Sequence, residues 1–336
     1  MQLYTIPALY CPFPTYIHPL VHEIEEQTNQ WILDHHLLDS YETYCKYKDY
    51  QFATFIARSF PFGDYIDICI WSNFNTLLFI VDDKFDDEET INDHETFHAF
   101  KSTFMEVIEK NIKCTIKNDG PILAALSNIW SRLLLRSSAA WQQKFIKCVI
   151  DMFSGLGWQF DLIRNNKLPD LKKYMEIRQY LGAAHMSTES LEITGKISLP
   201  EYVYKNPKVQ KLTEISRNTI CFANDLFSLA KESEESQNGG EFNLVTILKH
   251  KYNLNIEEAI KGAAEIHDAL VKEFLEISKH IYIYDIDINN MLLKYVQALE
   301  CQMIANIVWS TKETTRYPHI YGYSERVSEL IQSKVS

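Results

Sequence analysis

Glycine and proline are scarce, with ten of each in 336 residues. A many-stranded sheet protein of this size needs more turn formers, so the expected class is all-α. Basic charge is also short. There are 33 Lys and Arg against 45 Asp and Glu, a net charge of −12. A nucleic-acid backbone selects the opposite balance, so no nucleic-acid partner is expected. Long apolar runs are missing as well. The longest, such as Leu77 to Val81, fall far below the roughly 20 residues of a membrane span. The N-terminus has no basic leader region, and Pro7, Pro12, Pro14 and Pro19 would break a signal helix. The seven cysteines (Cys11, Cys45, Cys69, Cys114, Cys148, Cys221, Cys301) form no C-x-x-C pair. That pattern excludes a zinc ribbon and points to reduced thiols in the cytoplasm.

What is present suits a large buried core. Apolar residues make up 46% and charged residues 23%, with 18 Phe, 19 Tyr and 6 Trp, which argues against disorder. Residues 1–19 read as an extended, Pro-pinned arm. Helical patterns fit His18–His36 and Asp49–Ser59, the latter with Asp49 as a candidate N-cap. The next helix starts at Asp64 and runs toward Glu88, with Ile70, Phe74, Leu77, Val81 and Phe85 as a buried stripe. Further helices fit Asp93–Asn111, Pro121–Arg136, Ala139–Arg164, Pro169–Thr194, Pro207–Glu232, Asn243–Lys251, Ile256–His280 and Ile286–Ser310. Ser233 to Gly240 is the best candidate for a mobile loop. Without repeats or a clear linker, the chain reads as one domain, 1–336, a helical bundle around a central cavity.

Two polar clusters interrupt this pattern. Residues 82–89 read Asp-Asp-Lys-Phe-Asp-Asp-Glu-Glu. Six carboxylates at a helix end repel one another and oppose the macrodipole. At 100° per residue, Asp82 and Asp86 share a face with Trp71, Asn75 and Phe79. Hard oxygens at i,i+4 suit Mg²⁺ shared with a phosphate, although a solvated acidic helix end has the same composition. The second cluster is Asn224-Asp-Leu-Phe-Ser-Leu-Ala-Lys-Glu232. Asn224, Ser228 and Glu232 stand at i, i+4 and i+8, three oxygen donors on one helical face. An exposed polar stripe would also fit this triplet taken alone.

Together, Asp-Asp-x-x-Asp and, about 140 residues later, Asn-Asp-Leu-x-Ser-x-x-x-Glu resemble the paired metal motifs of class I terpene synthases of the microbial type. Other positions agree with that resemblance. Arg178 stands 46 residues before Asn224, where the family has a diphosphate sensor, and Gly182 follows where the family breaks its helix. Lys231 precedes the motif's Glu, and Arg316-Tyr317 follow Trp309 as the family's terminal pair follows an active-site Trp. Leu181 departs from the Asp that bacterial members often carry, and Asp87, Glu88 and Glu89 are extra acids without an assigned role.

The resemblance implies three Mg²⁺ ions held by Asp82, Asp83, Asp86, Asn224, Ser228 and Glu232. It implies that Arg178, Lys231, Arg316 and Tyr317 bind the diphosphate of a prenyl substrate. It implies aromatic walls that steady carbocations. Trp71, Phe79 and Trp309 are the first candidates, with Phe55, Phe153 and Trp158 behind them, although plain core packing fits each of these as well. Residues 311–336 would form a C-terminal lid. Farnesyl diphosphate is the expected substrate, with geranyl and geranylgeranyl diphosphate as same-class alternatives. A non-catalytic isoprenoid-diphosphate binder is the alternative of another class, and a homodimer is left open.

Overall fold

The computed structural model describes residues 3–85, 94–165, 167–235 and 242–322. The expectations for Asp86, for the acids Asp87 to Glu89, for most of the 233–240 loop and for the tail from 323 onward lie outside the described residues. Helices α1 (Val21–Asp34), α2 (Tyr41–Asp49), α3 (Phe52–Ser59) and α4 (Tyr65–Phe85) lead to the acidic segment. Next come α5 (His94–Glu109), α6 (Ile116–Asp119), α7 (Pro121–Leu134), α8 (Ala139–Arg164) and α9 (Leu171–Leu181). They are followed by the short α10 (Ala184–Glu189), α11 (Leu191–Thr194) and α12 (Glu201–Tyr204). Helices α13 (Pro207–Glu235), α14 (Leu244–Tyr252), α15 (Ile256–Ser278) and α16 (Ile286–Lys312) complete the set.

Most helix starts follow from local chemistry. Ser138, Asp170, Asn243 and Asp285 each accept a backbone N–H from the first turn they precede. Asn255 and Glu258 form a reciprocal capping box at α15. Such caps are worth about 1 kcal/mol each. The core then selects faces. Val209, Leu212, Ile215, Phe222, Leu226 and Leu229 are all buried along α13, which packs between α15 and α16. A fully buried aromatic such as Phe222 or Phe274 contributes about 1.5–3 kcal/mol. All seven cysteines are free. No described helix is long and apolar enough to cross a membrane.

Three expectations need correction. Asp49 does not cap α3; it closes α2, and Gln51 turns the chain in a left-handed conformation with φ 52° before Phe52. The single helix expected over Pro169–Thr194 is three pieces, broken first where Ala183 adopts φ 52°. Ser233 to Glu235 still belong to α13 rather than to a loop. The all-α architecture also carries one minimal sheet. Strand β1 (Thr5–Pro7) pairs in parallel with β2 (Ile320–Gly322), Thr5 opposite Ile320. The two ends of the described chain are thereby tied together, with Ile6 fully buried and Leu9 N–H donating to Tyr321 Oη at 3.1 Å. Arg58 adds a clasp, bonding the Glu313 carboxylate and Thr15 of the arm.

Candidate active site

The helix ends converge on a cavity of about 300 Å³, at the small end of ligand pockets. Its mouth is polar. Asp82 from α4, Arg178 from α9, and Asn224, Ser228, Lys231 and Glu232 from α13 line it. Arg316 and Tyr317, beyond α16, close the ring. Residues distant in sequence meet here because α4 and α16 end at the same level and α13 passes beside them.

Asp83, in the last turn of α4, is tied to the segment after α16. It accepts two hydrogen bonds from Arg316, at 2.6 and 2.9 Å, and a third from Tyr47 Oη. Lys231 Nζ lies 3.4 Å from the same carboxylate. Burial would raise its pKa, but the Arg316 hydrogen bonds and charge outweigh that and hold it at about 2. Both oxygens are therefore bonded to the Arg316 guanidinium. Asp82 remains open to the cavity. The surrounding protein raises its pKa, Lys231 and Arg316 oppose the rise, and Asp83 adds to it.

Arg316 is held from all sides. Its guanidinium carbon lies 5.0 Å from the Phe79 ring centroid, 5.3 Å from Tyr50 and 5.7 Å from Phe52. Burial alone would lower its pKa; the Asp83 contacts win and keep it cationic. Its Nε is buried without a partner. Tyr47, Tyr50 and Phe52 were not singled out in the sequence, because nothing local marks a residue that meets a partner some 260 positions away.

The second cluster is built around Asp225, a motif residue without an expected role. Its carboxylate accepts from Arg178 Nε at 2.8 Å, from Tyr174 Oη at 2.7 Å and from the Leu244 N–H at 3.0 Å. Burial pushes its pKa up; Arg178, Tyr174 and Leu244 favour the anion and push back. Arg178, whose burial would lower its pKa, is pushed well up by Asp225. Arg178 Nη2 also donates to Asn224 Oδ1 at 3.0 Å, and Asn224 Nδ2 donates to Tyr317 Oη at 3.1 Å. Ser228 Oγ donates to Glu232 Oε1 at 2.6 Å, and Asn243 Nδ2 reaches Glu232 Oε2 at 2.9 Å. Burial, then Asp225, raises the Glu232 pKa. That is a carboxylate whose charged form would gain from a cation.

Gly182 follows Arg178 by one helical turn. A Cβ there would lie 2.6 Å from Arg178 Nη1 and 3.0 Å from Cys221 Sγ. Only a residue without a side chain leaves the guanidinium its place. Backbone φ is −84°, so the demand is steric and not conformational.

Below the mouth the walls are aromatic and aliphatic. Phe55, Phe79, Phe153 and Trp309 all line the cavity, together with Phe97, Phe100 and Phe160. Trp309 is fixed by donating its indole N–H to the Tyr50 and Gln51 carbonyls, at 2.9 and 3.0 Å. Trp71 is a correction. It shares the Asp82 face of α4 but sits eleven residues lower, about 16 Å along the axis. There it packs on Phe74 at 5.2 Å, beneath the cavity, and lines none of it. Trp158 likewise faces Phe242 at 6.1 Å and stands outside the lining.

Oxygen chemistry at the mouth fits a hard divalent cation. Among the described residues, no three His, Cys, Asp or Glu side chains gather as a metal site, since two of the three donors on α13 are an amide and a hydroxyl. The buried Glu232 carboxylate and the Asp82 carboxylate that lines the cavity supply the anionic part of the set.

A helical barrel with a metal-donor and cationic mouth over an aromatic cavity defines the class I terpenoid synthase architecture. The sequence model described as "Terpene synthase family 2, C-terminal metal binding" matches residues 73–273, more than half of the chain, and the chain belongs to that family of metal-binding terpene synthases. It is 26% identical to germacrene A synthase of Nostoc punctiforme, over 94% of this chain and 95% of that one. It is also 26% identical to a (+)-T-muurolol synthase of Roseiflexus castenholzii, over 96% and 97%. The fold matches the SVS_A2 protein from ancestral sequence reconstruction with a TM-score of 0.82 at 23% identity, covering 95% of this chain and 92% of that one. It matches α-eudesmol synthase with a TM-score of 0.76 at 20% identity, covering 90% and 98%.

Proposed function

We propose that the protein ionises farnesyl diphosphate and cyclises the resulting cation to a sesquiterpene, releasing diphosphate. The observation that carries this reading is the polarity of one cavity. Cationic and oxygen-donor side chains crowd its mouth, and aromatic rings wall its interior. The muurolol synthase relative is named for cyclising (2E,6E)-farnesyl diphosphate, which supports a fifteen-carbon substrate. Asp82, Asn224, Ser228 and Glu232 would hold Mg²⁺, and Asp86, outside the described residues, is a further expected ligand; three ions are expected, and bound there they would neutralise the leaving diphosphate.

The protein's own groups do the rest. Arg178, oriented by Asp225, presents its remaining N–H groups to a phosphate oxygen. Arg316, which lines the mouth, brings a second guanidinium charge to the diphosphate. Tyr317 Oη accepts from Asn224, which leaves its own proton to donate. Asp83, gripping Arg316, shuts the mouth and excludes water from the cation. Phe79 and Trp309 offer π-faces beneath the diphosphate, each cation contact being worth about 0.5–2 kcal/mol.

The test is incubation with geranyl, farnesyl and geranylgeranyl diphosphate, with Mg²⁺ or with a chelator. Diphosphate release and gas chromatography–mass spectrometry are the readouts. Farnesyl diphosphate should give the fastest release, cyclic fifteen-carbon products, and no turnover under chelation. Faster release from another chain length would overturn the substrate assignment, and no release from any would overturn the enzymatic reading.

A further inference from the structure

Phe97, Phe100 and Phe104 of α5 all line the cavity, on one helical face. The next residue of that row, Ile108, no longer does. Ile108 borders a second apolar gap, too narrow for a water, with Phe74 of α4, Leu126 and Ile129 of α7, and Phe145 and Val149 of α8. This gap lies under the cavity. On α4, Phe74 stands eight residues, about 12 Å, from Asp82 at the mouth. On α8, the cavity lining starts at Met152, three residues beyond Val149. Among the described residues, Phe104 alone borders both spaces. It is 1% exposed, and its ring packs edge-on against Phe153 at 5.3 Å, with Phe100 at 5.7 Å. The gap beyond it offers nothing polar. The indole N–H of Trp130, the one polar side-chain group on its lining, already donates to Asn111 Oδ1 at 2.8 Å.

We propose that Phe104 is the floor of the cavity and sets the longest prenyl chain the protein turns over, stopping it at fifteen carbons. The inference rests on the reading of the cavity as a prenyl diphosphate site. With the diphosphate fixed at the mouth, each added isoprene unit carries the far end of the chain deeper. Phe97 and Phe100 stand along that path, and Phe104 stands where the cavity stops and the gap begins. A ring packed on both sides does not make room for extra carbon cheaply. Without the ring, the gap would join the cavity. The joined space would still be hydrocarbon throughout, which is what the tail of a longer chain needs. A larger ring at the same place would shorten the cavity instead.

The experiment measures kcat/KM for diphosphate release from geranyl, farnesyl and geranylgeranyl diphosphate with Mg²⁺. The proteins are the wild type, Phe104→Leu, Phe104→Ala, Phe104→Trp and Phe97→Leu, each checked for folding by circular-dichroism melting. Phe104→Leu and Phe104→Ala should raise the geranylgeranyl-to-farnesyl ratio about tenfold or more. Phe104→Trp should lower it and raise the geranyl-to-farnesyl ratio. Phe97→Leu makes the same change of side chain as Phe104→Leu, about 10 Å nearer the start of α5. It should move the ratio less than about threefold. If Phe104→Ala fails to fold, Phe104→Leu and Phe104→Trp still decide. Ratios that the Phe104 variants leave unmoved, or that Phe97→Leu moves as far, overturn the inference while leaving the cyclase reading intact. Fastest wild-type release from another chain length overturns the farnesyl assignment and this limit together. Absence of diphosphate release from every prenyl substrate overturns the cyclase reading and this inference with it.

Discussion

Asp83 and Arg316, 233 positions apart, hold each other through two parallel hydrogen bonds of 2.6 and 2.9 Å. Both side chains are largely withdrawn from solvent. The pair joins the last turn of the long cavity helix α4 to the segment that leads into β2. It fixes the segment after α16 against the end of α4.

Breaking that pair should therefore act on turnover. Arg316→Ala leaves a buried carboxylate facing only Tyr47 and Lys231, a change of about 3–5 kcal/mol for a buried pair. Diphosphate release should fall by about two orders of magnitude, with product ratios less disturbed. Arg316→Lys should rescue little, because an ammonium cannot reproduce the planar two-pronged contact. Steady-state kinetics of both variants measure this, and full activity in Arg316→Lys would contradict it.

Trp309 tests the opposite half of the cavity. Trp309→Phe keeps a π-face, opens volume and removes the N–H that bonds Tyr50 and Gln51. The product mixture should change more than the rate does. Total diphosphate release and product distribution, measured beside Arg316→Ala, separate wall from lid. Unchanged products in Trp309→Phe would refute the division.

Gly182→Ala puts a methyl group where Arg178 Nη1 now lies, at 2.6 Å. The guanidinium must move by several tenths of an ångström. Misplacement on the scale of 1 Å costs about 100-fold, so kcat/KM should drop between 10- and 100-fold while the melting temperature changes little. A silent variant would show that Arg178 does not work from its present position.

Asp225→Asn removes the charge that orients Arg178 and leaves that cation buried. A loss of about 3–5 kcal/mol is expected for the orphaned partner. Urea denaturation should show the loss of stability. KM should rise in the same variant if Arg178 meets the diphosphate, and an unchanged KM would count against that role.

The pH dependence of stability has one clear contributor away from the mouth. His185, just past the break between α9 and α10, is buried with its ring nitrogens 3.1 Å from the Gln179 carbonyl and 2.8 Å from that of Cys148. Burial lowers its pKa from 6.5 to about 4. The unfolded chain therefore binds a proton that the folded chain refuses. Its contribution is fully present above pH 6.5 and is lost as the pH falls toward 4, about 3 kcal/mol in all. Denaturation at pH 5 and pH 7 should show this slope in the wild type and a shallower one in His185→Gln.

Much of the molecule was legible along the chain. Helix α8 begins at Ala139 and ends at Arg164, as its periodicity implies, and Asn243 and Asp285 cap the helices they precede. These are local matters, set by neighbours within a turn. The α13 donors could be read the same way, because i, i+4 and i+8 spacing alone puts Asn224, Ser228 and Glu232 on one face. The tertiary structure decided everything that depends on depth or on distant partners. Trp71 and Asp82 share a helical face, yet one lies under the cavity and the other at its mouth, since angle says nothing of height. Asp82 and Asp83 are adjacent acids, yet Asp82 faces the cavity and Asp83 is spent on Arg316. Asp225 became the anchor of Arg178 only once α9 and α13 lay side by side. Hydrogen bonds reach about 3 Å in space and carry no record in sequence, so the pairs that orient this site had to be formed by packing before they could be seen.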